Sequence, residues 1–127
     1  MIVAAAVRRL AVLSDVHGNA TALEAVLREI DERDVDAIVH CGDLTWGAQP
    51  AETLELLRGR EVVFVRGNAD RIVVELADGV REEEPSEREV WMREHHDASA
   101  VALLRTFPST AAIVVEGVGR VLCSHGS

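Results

Sequence analysis

Three short apolar runs break off at the same kind of polar stop. Leu10–Leu13 runs into Ser14-Asp15-Val16-His17-Gly18-Asn19, and Ala37–Val39 runs into His40-Cys41-Gly42-Asp43. Val62–Val65 runs into Arg66-Gly67-Asn68-Ala69-Asp70. Short runs rich in β-branched residues, with no polar alternation, predict strands buried on both faces, as in a parallel sheet. Between them the pattern changes to a helical period. Over Ala22 to Arg33, the residues Leu23, Val26, Leu27 and Ile30 form one apolar stripe. Thr21 and Glu24 stand at capping-box spacing before it. Pro50 suits a first helical turn, with Leu54, Leu56 and Leu57 behind it and Gly59 near the end. The outcome is a βαβαβ unit whose crossovers should be right-handed.

The second half reads differently. Arg81 to Glu89 is charge-rich and contains Pro85 and Ser86, so it predicts an exposed connection. Glu87 to Thr106 predicts helix in two pieces broken near Asp97, burying Trp91, Val101, Leu103, Leu104 and Phe107, and Pro108 stops it. Ala111–Val115 and Arg120–Cys123 flank Glu116-Gly-Val-Gly119, a hairpin signal. The second of these strands runs into Ser124-His125-Gly126-Ser127. No internal repeat or low-complexity tract interrupts the chain.

A length of 127 residues suits one domain spanning 1–127. The net charge is −9 and there is no lysine. Such a chain has no general electrostatic attraction for nucleic acid or anionic lipid, so a phosphate-bearing substrate would need a local cation. The apolar start is short, and Arg8 and Arg9 follow it rather than precede it, the wrong order for a secretory signal. No run reaches the ~18 apolar residues of a membrane span. A cytoplasmic protein is the expectation. Cys41 and Cys123 lie in apolar runs and read as small reduced core residues, with a single disulfide as the rival reading.

The chemistry is carried by the strand ends. In open α/β sheets, ligands bind beyond the carboxyl ends of the strands, so Asp15, His17, Asp43, Asn68 and His125 should converge although they lie far apart in sequence. Asp15 and His17 are two apart, and an extended backbone would put both on one side. Gly18, Gly42, Gly67 and Gly126 would let the chain turn beside them. Two carboxylates, two imidazoles and an amide oxygen suit intermediate divalent ions such as manganese, iron, zinc or nickel. Two such ions ~3.5–4 Å apart clamp a phosphate and activate a water. Asp43, from the middle motif, is the natural bridge, and Asp43, Asn68 and His125 are the residues expected nearest the reaction.

Together Asp15-Val-His17, Gly42-Asp43, Gly67-Asn68 and Ser124-His125-Gly126 resemble, in order, the motifs of the calcineurin-like metallophosphoesterases, above all the small bacterial and archaeal phosphodiesterase branch. The resemblance implies a layered α/β fold, a β-sandwich flanked by helices. It implies two divalent ions, with manganese first among the candidates. Asp15 and His17 would bind the first ion, Asp43 both, and Asn68 and His125 the second. It also implies hydrolysis of a phosphodiester or a small phosphomonoester.

Two departures qualify it. The family's Gly-His-x-His motif, which gives each metal a further ligand, has no counterpart here, so the C-terminal strands are expected to be missing and the site short of ligands. The His that often follows Gly-Asn is Ala69. The competing readings are a binding scaffold on the same fold and a response-regulator-like domain holding one magnesium ion. His17, His125 and the absence of lysine fit the latter poorly. An open sheet edge would favour a homodimer.

Other polar residues have plainer readings. Asn19 suits a helix cap. Asp70 could orient a ligand or cap the next helix. His40 reads as a satisfied core or surface histidine, His95 and His96 as solvated helix residues, and Trp91 as packing. Glu82-Glu-Glu84 reads as a solvated charge run. Arg66 and Arg71 lie close enough to the motifs to meet a phosphate.

Overall fold

The structure is a computed structural model and describes residues 2–126. Met1 and Ser127, the two ends of the expected domain, lie outside the described residues. Two three-stranded sheets form the centre. Strands β2 (Leu10–Leu13), β3 (Ala37–His40) and β4 (Val62–Phe64) pair in parallel in the order β2-β3-β4. In the other sheet, β5 (Thr110–Val115) pairs in parallel with β1 (Ile2–Val7) and antiparallel with β6 (Gly119–Ser124).

The chain leaves β1 at Arg8-Arg9 and enters the other sheet at once. Both backbone N–H groups donate to Asp36 Oδ2, at 2.8 and 2.9 Å, which pins the crossing. The sequence pattern does not predict β1. Its alanine-rich run leads into two arginines rather than a turn signal, so it merges with the apolar run of β2.

The alternation along β3 explains why its sequence shows no polar period. Ile38 joins an apolar cluster with Leu23, Leu27 and Ile30 of α1 (Ala20–Asp31), Val73 of α3 (Asn68–Asp78), and Leu104 and Phe107 at the end of α5 (Ala98–Arg105). Val39 faces the opposite way, into a second cluster with Val65, Ala111, Ile113 and Cys123 between the two sheets. Both faces are dry, and residues facing each cluster gain roughly 1.5–3 kcal/mol per fully buried large aliphatic side chain. The expected sandwich flanked by helices is thus what forms. Cys41 and Cys123 are buried free thiols in the inter-sheet layer.

Helix boundaries follow capping chemistry. Asn19, not Thr21, caps α1: its side chain accepts from the Ala22 N–H at 3.0 Å. Helix α2 (Pro50–Leu57) starts with Pro50 in its first turn. The predicted break at Asp97 separates α4 (Glu87–Glu94) from α5, and Asp97 caps α5 by accepting from Ala100 N–H. The buried face differs from expectation. Trp91 is 37% and Leu103 36% exposed, while Met92 is buried in the place expected for Trp91. Of helix α3 the sequence marked only the start, through Asp70 as a candidate cap, and not its extent; Ala69, Val73 and Leu76 lie on one buried stripe and Gly79 ends it in the left-handed region at φ 67°.

Candidate metal centre

The register of the parallel sheet sets Leu13, His40 and Phe64 side by side, so three loops leave the same edge together. The loops continue the ladder past the strands. Asp15 N–H donates to Gly42 O at 2.9 Å, His17 N–H to Asp43 O at 3.0 Å and Gly18 N–H to Leu44 O at 2.9 Å. The first and second loops are therefore zipped together backbone to backbone. The backbone there is not extended, as the two-residue spacing had suggested. Asp15, His17 and Asp43 lie in the left-handed region, at φ 56°, 49° and 61°. Non-glycine residues there cost about 1–3 kcal/mol each and cluster at functional sites.

All five predicted residues come together. His17 Nε2 lies 3.4 Å from both Asp15 Oδ1 and Asp43 Oδ2. His125 Nε2 lies 3.4 Å from the same Asp43 Oδ2 and 3.1 Å from Asn68 Oδ1. One carboxylate oxygen of Asp43 therefore stands between two imidazoles that are 108 residues apart in sequence, as 125 minus 17 gives. The other oxygen of Asp43 accepts from Ala69 N–H at 2.9 Å, which fixes the carboxylate plane.

The chemistry of this donor set fits divalent cations. His17 Nδ1 lies 3.0 Å from Trp46 O, and His125 Nδ1 lies 2.8 Å from Cys41 O. A carbonyl can only accept, so both Nδ1 atoms carry a proton, which leaves each Nε2 of a neutral ring with a lone pair. Those lone pairs face acceptor oxygens of Asp15, Asp43 and Asn68. A cluster of acceptors turned toward one another is stabilised by a cation among them, and a histidine oriented through its other nitrogen is the usual companion of metal binding. Asp15, His17 and Asp43 offer three ligand atoms within 4.8 Å of one another.

The charges agree with that arrangement. The Ser14 hydroxyl bonds to Asp15 and holds its carboxyl below the usual range, with help from His125 and His17 and against partial burial. Burial opposes protonation of His125, but the Cys41 carbonyl and the Asp43 and Asp15 carboxylates outweigh it and raise its pKa.

Gly42 and Gly67 are among the glycines required by space. A Cβ on Gly42, at φ 107°, would fall 2.6 Å from Gly67 N and 2.7 Å from His125 Nδ1. A Cβ on Gly67 would collide with Asp43 Oδ1. Gly67 itself has φ −91°, so it is needed for close approach, not for a left-handed turn.

Asp70 does both things the sequence left open. It is 1% exposed and accepts from the N–H groups of Asp43, Leu44 and Gly67 at 2.9, 3.0 and 2.7 Å. It closes the capping box of α3 and ties that helix to the loop carrying Asp43. Burial nevertheless raises its pKa, against the three N–H bonds.

His96 is not solvated. It is buried, with Nε2 2.8 Å from Thr45 Oγ1 and Nδ1 2.6 Å from Met92 O, so it links the end of α4 to the loop after Asp43. No sequence signal marked this, because the partner lies 51 residues away. His95 stays exposed and stacks on Trp91 at 3.6 Å between ring centroids.

His40 is 1% exposed and only half satisfied. Its Nδ1 accepts from Gly42 N–H at 3.2 Å, but Nε2 has no hydrogen-bond partner among the described residues. Burial lowers its pKa to about 4, and the nearby Asp15 and Asp43 carboxylates only partly oppose this. The unfolded chain, with an ordinary His pKa of ~6.5, then binds more protons across the interval, so stability falls as pH drops from ~6.5 toward 4. The expected loss by pH 4.5 is about 2–3 kcal/mol. Urea unfolding at stepped pH should show this slope, and His40→Asn should flatten it. An equal slope in both proteins would assign the acid sensitivity elsewhere.

A family profile described as the calcineurin-like phosphoesterase superfamily domain matches residues 9–127. An uncharacterized protein of Methanocaldococcus jannaschii is 44% identical over 62 residues, which are 48% of this chain and 26% of that protein. Among solved structures, a metallophosphoesterase from Sphaerobacter thermophilus is similar with TM-score 0.62 and 29% identity, over 81% of this chain and 42% of that one. A protein assigned as a diadenosine tetraphosphatase superposes with TM-score 0.74 at 21% identity, over 89% of this chain and 49% of that one, a likeness of fold. The chain spans less than half the length of each of these three proteins.

Proposed function

This chain belongs to the calcineurin-like phosphoesterase superfamily, and we propose that it serves metal-dependent hydrolysis of phosphodiesters or small phosphomonoesters. Asp15 and His17 would hold one divalent ion, Asn68 and His125 a second, and Asp43 both, with manganese as the first candidate. The observation that carries this reading is the single Asp43 oxygen 3.4 Å from both His17 Nε2 and His125 Nε2. Such ions, when bound, neutralise phosphate oxygens and lower the pKa of water enough for it to attack at neutral pH.

The chain's own groups do the positioning. Trp46 and Cys41 carbonyls hold the two imidazoles with Nε2 facing inward. Ala69 N–H holds the Asp43 plane. The Ala69 side chain has no proton to give a leaving group, so esters of acidic alcohols and phenols should be favoured. Among the described residues, no helix is long and apolar enough to cross a membrane.

Turnover of bis-p-nitrophenyl phosphate and p-nitrophenyl phosphate, with and without added manganese, tests the reading. The expected result is manganese-dependent release of p-nitrophenolate that a chelator abolishes. Metal-loaded protein that releases none from either ester would overturn it.

A further inference from the structure

Beside the candidate metal centre lies a cleft of about 600 Å³ whose lining includes Asn68, His125, Arg66, Arg71, Ser109 and Ser124. No carboxylate among the described residues lines it, although the chain carries 22 acidic residues against 13 arginines. Both arginines are exposed. Arg66 makes no ion pair or side-chain hydrogen bond among the described residues. Its backbone is fixed, with N–H donating to Pro108 O at 2.7 Å. Arg71 spends one Nη1 on Glu75 Oε1 at 2.6 Å, while the other oxygen of Glu75 goes to Arg81. Much of the Arg71 fork therefore remains open to the cleft.

Two arginines, one without an ion pair and one that shares its carboxylate partner with Arg81, flanked by hydroxyl groups form a phosphate-recognition surface, because the planar guanidinium matches phosphate oxygens two at a time. The ions in the proposed function would already meet the phosphoryl group that reacts. We propose that this cleft binds a second phosphate, one that is not cut, so that the preferred substrates are phosphate esters carrying two phosphoryl groups. This rests on the phosphoesterase reading for the reacting group, whereas binding of the second phosphate does not require turnover.

The test measures equilibrium binding to the chain in excess manganese for three ligands: thymidine 5′-phosphate, thymidine 5′-diphosphate and thymidine 3′,5′-bisphosphate. At least one doubly phosphorylated ligand should bind tenfold or more tightly than the monophosphate. Arg66→Ala and Arg71→Ala should each remove most of that advantage, and Arg66→Lys should keep part of it as a point charge. In kinetics, the p-nitrophenyl esters of thymidine 5′-phosphate with and without a 3′-phosphate should separate mainly in KM, and the separation should shrink in the same variants. Equal affinity for all three ligands would overturn the proposal, as would an advantage that persists in the Arg66→Ala, Arg71→Ala double variant. If neither ester is turned over, hydrolysis fails as a reading, while the binding comparison still decides the role of the cleft.

Discussion

Asp43→Asn should lower manganese-dependent turnover of bis-p-nitrophenyl phosphate by about 10³-fold or more, equivalent to ~4 kcal/mol of lost transition-state stabilisation. The substitution keeps size and shape and removes one charge. That charge stands where the two halves of the centre meet, since one Asp43 oxygen approaches both His17 Nε2 and His125 Nε2. An amide in its place offers one neutral oxygen, which cannot offset two cations. Fold stability should change little, because the Asn Oδ1 can still accept from Ala69 N–H. Thermal unfolding measured beside the kinetics separates the two effects. A loss below tenfold in a folded variant would mean that Asp43 is not shared.

Asp70→Ala should have the largest effect on stability, a loss of about 3 kcal/mol or more in urea unfolding with an unchanged denaturant slope. The carboxylate is buried and is the acceptor for three N–H groups, those of Asp43, Leu44 and Gly67. Alanine leaves all three without it in a site too closed for easy solvation. Each buried donor left unpaired costs about 1–3 kcal/mol, reduced where local relaxation admits water. The same N–H groups belong to the loops that carry Asp43 and precede Asn68. A shift of ~1 Å in those ligands should therefore also cost roughly 10²-fold in rate. A loss below 1 kcal/mol would show that water or a rearranged loop replaces the carboxylate.

The site was legible because each of its parts is written locally. Asp15, Asp43, Asn68 and His125 each follow an apolar run, and the end of a buried strand is a place that sequence periodicity can locate. How they are held was not legible. The left-handed backbone of Asp15, His17 and Asp43 depends on hydrogen bonds between loops far apart in sequence, as Asp15 N–H to Gly42 O shows. His96 reads as a surface residue until Thr45 is brought to it by packing. Asp70 offered two roles, and only the meeting of two loops shows that one carboxylate serves both. At the level of the fold, the parallel strands declared themselves by pattern, but only the central β3 is buried on both faces; β2 and β4 are edge strands, and Val12 of β2 is 59% exposed. Strand β1 did not, because its partner β5 lies more than a hundred residues away, with Ile2 beside Ala112. The misplaced face of α4 has a similar cause. Trp91 is the larger apolar residue, but Met92 is the one the helix turns inward, and Trp91 instead stacks on His95.

The central claim is that five residues from four strand ends form one centre for two cations with Asp43 common to both. Metal content of purified protein, reloaded with manganese and freed of excess, measures this directly when wild type and Asp43→Asn are compared by elemental analysis. The account predicts about two ions per chain in wild type and weaker retention of both in the variant. One ion or none in wild type, or equal retention in the two proteins, would contradict it.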